Sequence, residues 1–116
     1  MDADEVVVAL EEGRLEGIVQ ASRSTRDLHA IHNCLFQKTL ELGVPRAELL
    51  RKINEATYEI ARRSLLDYRD LKQMDRRMLE DYDPRLALEV LKAQITVMIT
   101  ACQSVLPRAG GGKPGN

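Results

Sequence analysis

The densest cluster of reactive side chains in this 116-residue chain is RDLHAIHNC, residues 26–34. His29 and His32 are three positions apart, so on a helix they share a face. Two such imidazoles can ligate zinc when other helices supply further ligands. An exposed histidine on a helical hairpin can also carry a phosphoryl group. Neither chemistry has its usual surroundings here. The Glu-x-x-His pattern of di-iron bundles is missing, because Arg26 and His29 stand three before the two histidines. There is no phosphate-cradling loop and no GxSxG elbow. The plainer reading leaves His29 exposed and His32 at the edge of a Leu28–Leu35 seam. No catalytic residue, metal ligand or cofactor is therefore assigned, and the chain is expected not to be an enzyme.

Two cysteines, Cys34 and Cys102, stand far apart. They form no CxxC pair and are too few for a disulfide framework. Both fall on apolar stripes, which predicts buried structural thiols. The N-terminus MDADEVVVALEEG is acidic and its apolar run is short, unlike a secretory signal. The expectation is a cytoplasmic protein with reduced thiols.

Arginine outnumbers lysine, 12 to 5, and Arg62, Arg69 and Arg76 recur every seven residues with Arg63 and Arg77 beside them. Such a ridge could grip phosphates. Acids stand four residues away from many of these bases: Glu48 and Lys52, Arg51 and Glu55, Arg63 and Asp67, Arg76 and Glu80, Arg77 and Asp81. Pairs of that spacing neutralise and stabilise an exposed helix face. The formal net charge is −1 and aromatics are only 3%, which leaves little for electrostatic capture or base stacking. Nucleic acid is not the favoured partner.

The elements that must position these residues are helices. Hydrophobic residues make up 44% of the chain, with almost no aromatic bulk, which suits packed aliphatic helices better than sheets. Gly43 and Pro45 mark a stop and restart, and Asp83 and Pro84 an N-cap with proline in the first turn. Three segments result: residues 4–42, 45–81 and 84–106, of about 58, 55 and 34 Å as helices. Gly13 and Gly17 weaken the first, and Ser24 with Asp27 offers a capping box, so a break between Gly13 and Thr25 is open. Ala21, Leu28, Leu35 and Leu42 repeat every seven residues, with Ile18 and Ile31 on the same side. Ile53, Thr57, Ile60, Ser64, Leu71, Met74 and Met78 mark the second stripe, interrupted by Asp67.

The third segment is the most apolar. From Ala93 to Leu106 it holds no charge. A membrane span needs about 20 apolar residues, and this run carries Gln94, Thr96, Thr100, Gln103 and Ser104. Leu88, Leu91, Ile95, Met98, Cys102 and Val105 alternate spacings of three and four, the pattern of a helical seam. Leu86, Val90, Ala93, Val97 and Ala101 make a second apolar line. A helix apolar on most sides is covered on most sides. Either this chain closes over it, or a partner does.

The sequence thus specifies an all-α fold: an antiparallel helical bundle of three long helices, the first open to division in two, with coiled-coil-like packing. Residues 1–106 form one domain and residues 107–116 a flexible tail. The expected function is a non-catalytic assembly or adaptor subunit that binds itself or another helical protein, with no membrane involved. Leu88, Leu91, Ile95, Val97 and Met98 are the expected partner-binding residues. A metal or phosphotransfer bundle using His29 and His32 is the alternative, and an Arg-rich nucleic-acid-associated helix is the second.

Overall fold

The computed structural model describes residues 1–64, 81 and 83–106. Among these the protein is all-helical, with five helices and no strand: α1 Ala3–Glu11, α2 Leu15–Ala21, α3 Thr25–Glu41, α4 Arg46–Arg63 and α5 Pro84–Val105. Three long helices were expected. The first expected helix is instead three helices, because the chain breaks at Gly13 and again before the Ser24 cap, while α2 runs on through Gly17. Residues 107–116 and the expected second helix beyond Ser64, with Asp67, Arg69, Leu71, Met74, Arg76, Arg77 and Met78, lie outside the described residues.

Each break has a local cause. At Gly13 φ is +75°, a left-handed conformation that costs a residue with a Cβ. The Gly13 N–H donates to the Leu10 carbonyl and the Arg14 N–H to the Ala9 carbonyl, so the orphan carbonyls of α1 are closed off. Gly43, φ +96°, repeats this after α3: its N–H donates to Leu40 and that of Val44 to Thr39. Between α2 and α3 the backbone is extended at Ser22 and Ser24. The Ser24 hydroxyl accepts from the Asp27 N–H at 3.2 Å, which starts α3 at the expected cap. At α5, Asp83 accepts from the N–H groups of Arg85 and Leu86, each at 3.1 Å, with Pro84 in the first turn.

The breaks divide the first expected segment into helices no longer than α5. By residue count α3, α4 and α5 span about 26, 27 and 33 Å, and α1 and α2 fold back to cover what the first two leave. The most apolar helix is the centre of the bundle. α5 packs on each of the other four, and α3 and α4 pack chiefly on α5 rather than on one another. Val6, Leu10, Leu15, Val19, Leu28, Leu35, Leu49, Ile53, Ile95 and Met98 close one core drawn from all five helices. A smaller cluster joins Ile60 and Ala61 to Leu86, Ala87 and Val90, so the end of α4 meets the start of α5 and the two run antiparallel. Contacts His32–Gln94 and Thr39–Cys102 advance together along α3 and α5, so those two run parallel. By length and composition alone α5 could cross a membrane; half of the apolar window that qualifies is buried inside the bundle.

The heptad of the first segment does not survive the breaks. Leu28 and Leu35 are buried, but Ala21 is exposed and Leu42 half-buried. Leu15 and Val19 take the core positions in α2, since the turn at Ser22–Ser24 resets the helical phase.

Candidate functional site

His32 is buried at 5% exposure, deeper than the edge position expected of it. Its Nε2 lies 2.9 Å from Oε1 of Gln94 on α5. Gln94 Nε2 donates to Thr57 Oγ1 on α4 at 2.9 Å, and the Thr57 hydroxyl donates to the Ile53 carbonyl at 3.0 Å. The direction of this chain is fixed by its last bond. Thr57 spends its hydrogen on a carbonyl that can only accept, so it accepts from the Gln94 amide. Gln94 then presents its oxygen to His32, and His32 Nε2 carries a proton. Three helices are tied through this one line of polar groups, and Lys92 Nζ donates to the Gln20 carbonyl at 2.8 Å to tie α5 to α2.

His29 is half-buried, not exposed as expected, and does not join this line. Among the described residues no group of three or more His, Cys, Asp or Glu side chains is placed to hold a metal ion. The two histidines share a face as the spacing requires, but Nε2 of His32 is committed to Gln94.

The thiols differ. Cys102 is fully buried, and its Sγ lies 3.0 Å from Thr39 Oγ1. The Thr39 hydroxyl donates to the Leu35 carbonyl at 2.6 Å, so the thiol is the donor of the pair. Burial pushes the Cys102 thiol up from its ordinary value of 9.0. Cys34 is half-buried rather than buried, with Sγ 3.9 Å from the Ala3 carbonyl. Burial raises it too, followed by the charge of Glu41. Both are thereby kept as thiols, not thiolates.

Of the expected partner-binding residues, Leu91, Ile95 and Met98 are 4%, 0% and 0% exposed and lie in the chain's own core. Leu88 and Val97 are half-buried and pack against its edge. Val97 also lines a surface groove of about 720 Å³ between α4 and α5. It is lined on the α5 side by Val97, Thr100, Ala101, Ser104 and Val105, and by Ala56 of α4. Glu48, Lys52, Glu55 and Glu59 of α4 form one wall, and the Leu42–Pro45 turn closes one end. The end residue, Val105, is 46% exposed. The sequence pattern placed Val97, Ala101 and Val105 on apolar lines but gave no sign of the wall opposite.

The basic ridge is only partly described. Arg62 pairs with Glu59 at 2.8 Å and Arg51 with Glu55 at 2.9 Å. The Glu59 carboxyl is held below its usual range by the Arg62 hydrogen bond and charge. The expected Glu48–Lys52 pair is not formed among the described residues, where Arg14–Glu12 is a third ion pair.

Comparison with protein-family models, curated proteins and solved structures finds no match in any of the three.

Proposed function

We propose that this chain is a non-catalytic helical assembly or adaptor subunit, which binds itself or another helical protein through the groove between α4 and α5. The observation that carries this reading is the groove itself: Val97, Ala101 and Val105 of the most apolar helix, with Thr100 and Ser104 between them, left partly open beside the charged side chains of α4. An open apolar strip with a charged rim is the form of a helix-docking surface. The buried polar groups are bonded inside the bundle, as expected of a scaffold. The position of His32 favours a structural role over metal or phosphotransfer chemistry, since Nε2 is engaged. The pairing of Arg51 and Arg62 with glutamates favours a self-neutralised face over a phosphate-binding one.

Photocross-linking in the native cell tests this. A cross-linking residue at position 97 or 105 should capture one discrete species, and one at Glu89, exposed elsewhere on α5, should not. Equal labelling from all three positions, or none from 97 and 105, would overturn the reading.

A further inference from the structure

The groove wall carries a charge row with an internal symmetry. Glu48, Lys52, Glu55, Glu59 and Arg63 succeed one another at spacings of four, three, four and four along α4, so they share one flank of the helix. The first four line the groove; Arg63 is one turn beyond. Inverting the order of this row sets acid against base at its four outer positions and Glu55 against itself at the centre.

We infer that the groove is occupied by the same groove of a second copy of this chain, the two α4 helices lying antiparallel about a twofold axis between positions 55 and 56. This rests on the reading of the chain as an assembly subunit and names its partner. In that register Lys52 stands opposite Glu59 of the second copy, and Glu48 opposite Arg63 of the second copy. The axis forms each pair twice, as an isologous contact must. Near the axis the two copies of Glu55 lie one residue apart, each with its charge already met by Arg51 at 2.9 Å. Neighbouring alignments are worse. Moving the axis two residues toward the N-terminus sets Glu48 against Glu59, although Lys52 then meets Glu55; moving it two residues toward the C-terminus sets Lys52 against Arg63. A parallel pairing sets every charge against itself. Opposed like charges reject such alignments.

Among the described residues, three of the four charges this geometry uses are unmatched, and the fourth, Glu59, is paired with Arg62 at 2.8 Å on an exposed face. Glu48, Lys52 and Arg63 make no ion pair within the chain among the described residues. The α5 side of the groove is covered in the same step. The end of α4 of the second copy lies over Ala101 and Val105, where the hydrocarbon stem of its Arg63 meets them.

Charge exchange on the full chain tests the register. Purified protein should be dimeric by light scattering and sedimentation. Lys52→Glu and Glu59→Lys, both on the solvent side of α4, should each weaken the dimer by tenfold or more in Kd, with the circular dichroism of the wild type. The double variant should dimerise again. So should an equimolar mixture of the two single variants, because each heterodimer then regains both of its 52–59 pairs. A monomeric wild type overturns the inference, and cross-linking from position 97 to a different protein would leave the proposed function standing. A dimer indifferent to the single exchanges, or one not restored by the double variant, overturns the register and this interface while leaving self-association itself intact.

Discussion

Nε2 of His32 and Oε1 of Gln94 lie 2.9 Å apart, across the contact between α3 and α5. Gln94 stands in the uncharged run of the chain's most apolar helix, and its amide bridges His32 to Thr57 of α4. Such a line is valuable mainly because each member would be costly to leave unmade.

Gln94→Leu is therefore expected to destabilise the fold by about 2 kcal/mol, since it leaves buried polar groups of His32 and Thr57 without this partner. Urea denaturation with unchanged slope is the measurement. Adding Thr57→Val to the Gln94→Leu variant should cost less than Thr57→Val costs alone, because the hydroxyl has already lost its donor. Strictly additive losses would show that the amide does not connect the two.

The thiols set an alkaline limit. Both Cys34 and Cys102 are raised above their ordinary 9.0 by burial. Above that value the unfolded chain gives up thiol protons that the folded chain keeps. The unfolded state then binds fewer protons and stability falls with rising pH. Their contribution is whole below about pH 9 and is lost as pH climbs through the raised folded values. Stability measured from pH 8 to pH 10.5 should slope downward, and less steeply in Cys102→Ala. An equal slope in that variant would assign the effect to other groups. Disulfide reagents at pH 8 should label Cys34 before Cys102, which is fully buried.

The cap at the start of the central helix offers a local test. Asp83 accepts two N–H bonds of α5's first turn. Asp83→Ala should cost about 1 kcal/mol, and Asp83→Asn, which keeps an acceptor oxygen, clearly less. Equal losses would mean that charge, not the hydrogen bonds, carries the contribution.

These residues also show what could be read from sequence. Asp83–Pro84 and Gly43 were legible because a helix end is a local event with fixed chemistry. The seam Leu91–Ile95–Met98–Cys102 was legible because burial follows helical spacing. The triple division of the first segment was only half visible. Ala21, Leu28, Leu35 and Leu42 kept a seven-residue spacing across the Ser22–Ser24 turn, so the numbers continued while the helix did not. The role of Gln94 was hidden for another reason. A polar residue inside an apolar run reads as facing water unless the opposing helices are known, and Thr57 and His32 come from elsewhere in the chain. The groove wall was hidden likewise: Glu48 and Glu55 read as members of i, i+4 pairs, and which side of α4 borders α5 is a tertiary fact.

Two glycines four residues apart make the last test, because the fold asks opposite things of them. Gly13 has φ +75° with no atom within 4 Å of where a Cβ would stand. The space is open, so Gly13→Ala meets only the backbone penalty of the left-handed conformation and should destabilise by about 1 kcal/mol. Gly17 lies within α2 at an ordinary helical conformation, also with open space around its Cβ position. There the glycine only adds freedom to the unfolded chain, and Gly17→Ala should stabilise by up to about 1 kcal/mol. Equilibrium denaturation of the two variants should thus move the midpoint in opposite directions. A shift of the same sign in both would mean that the chain does not turn at Gly13 as described, and that α1 and α2 are one helix.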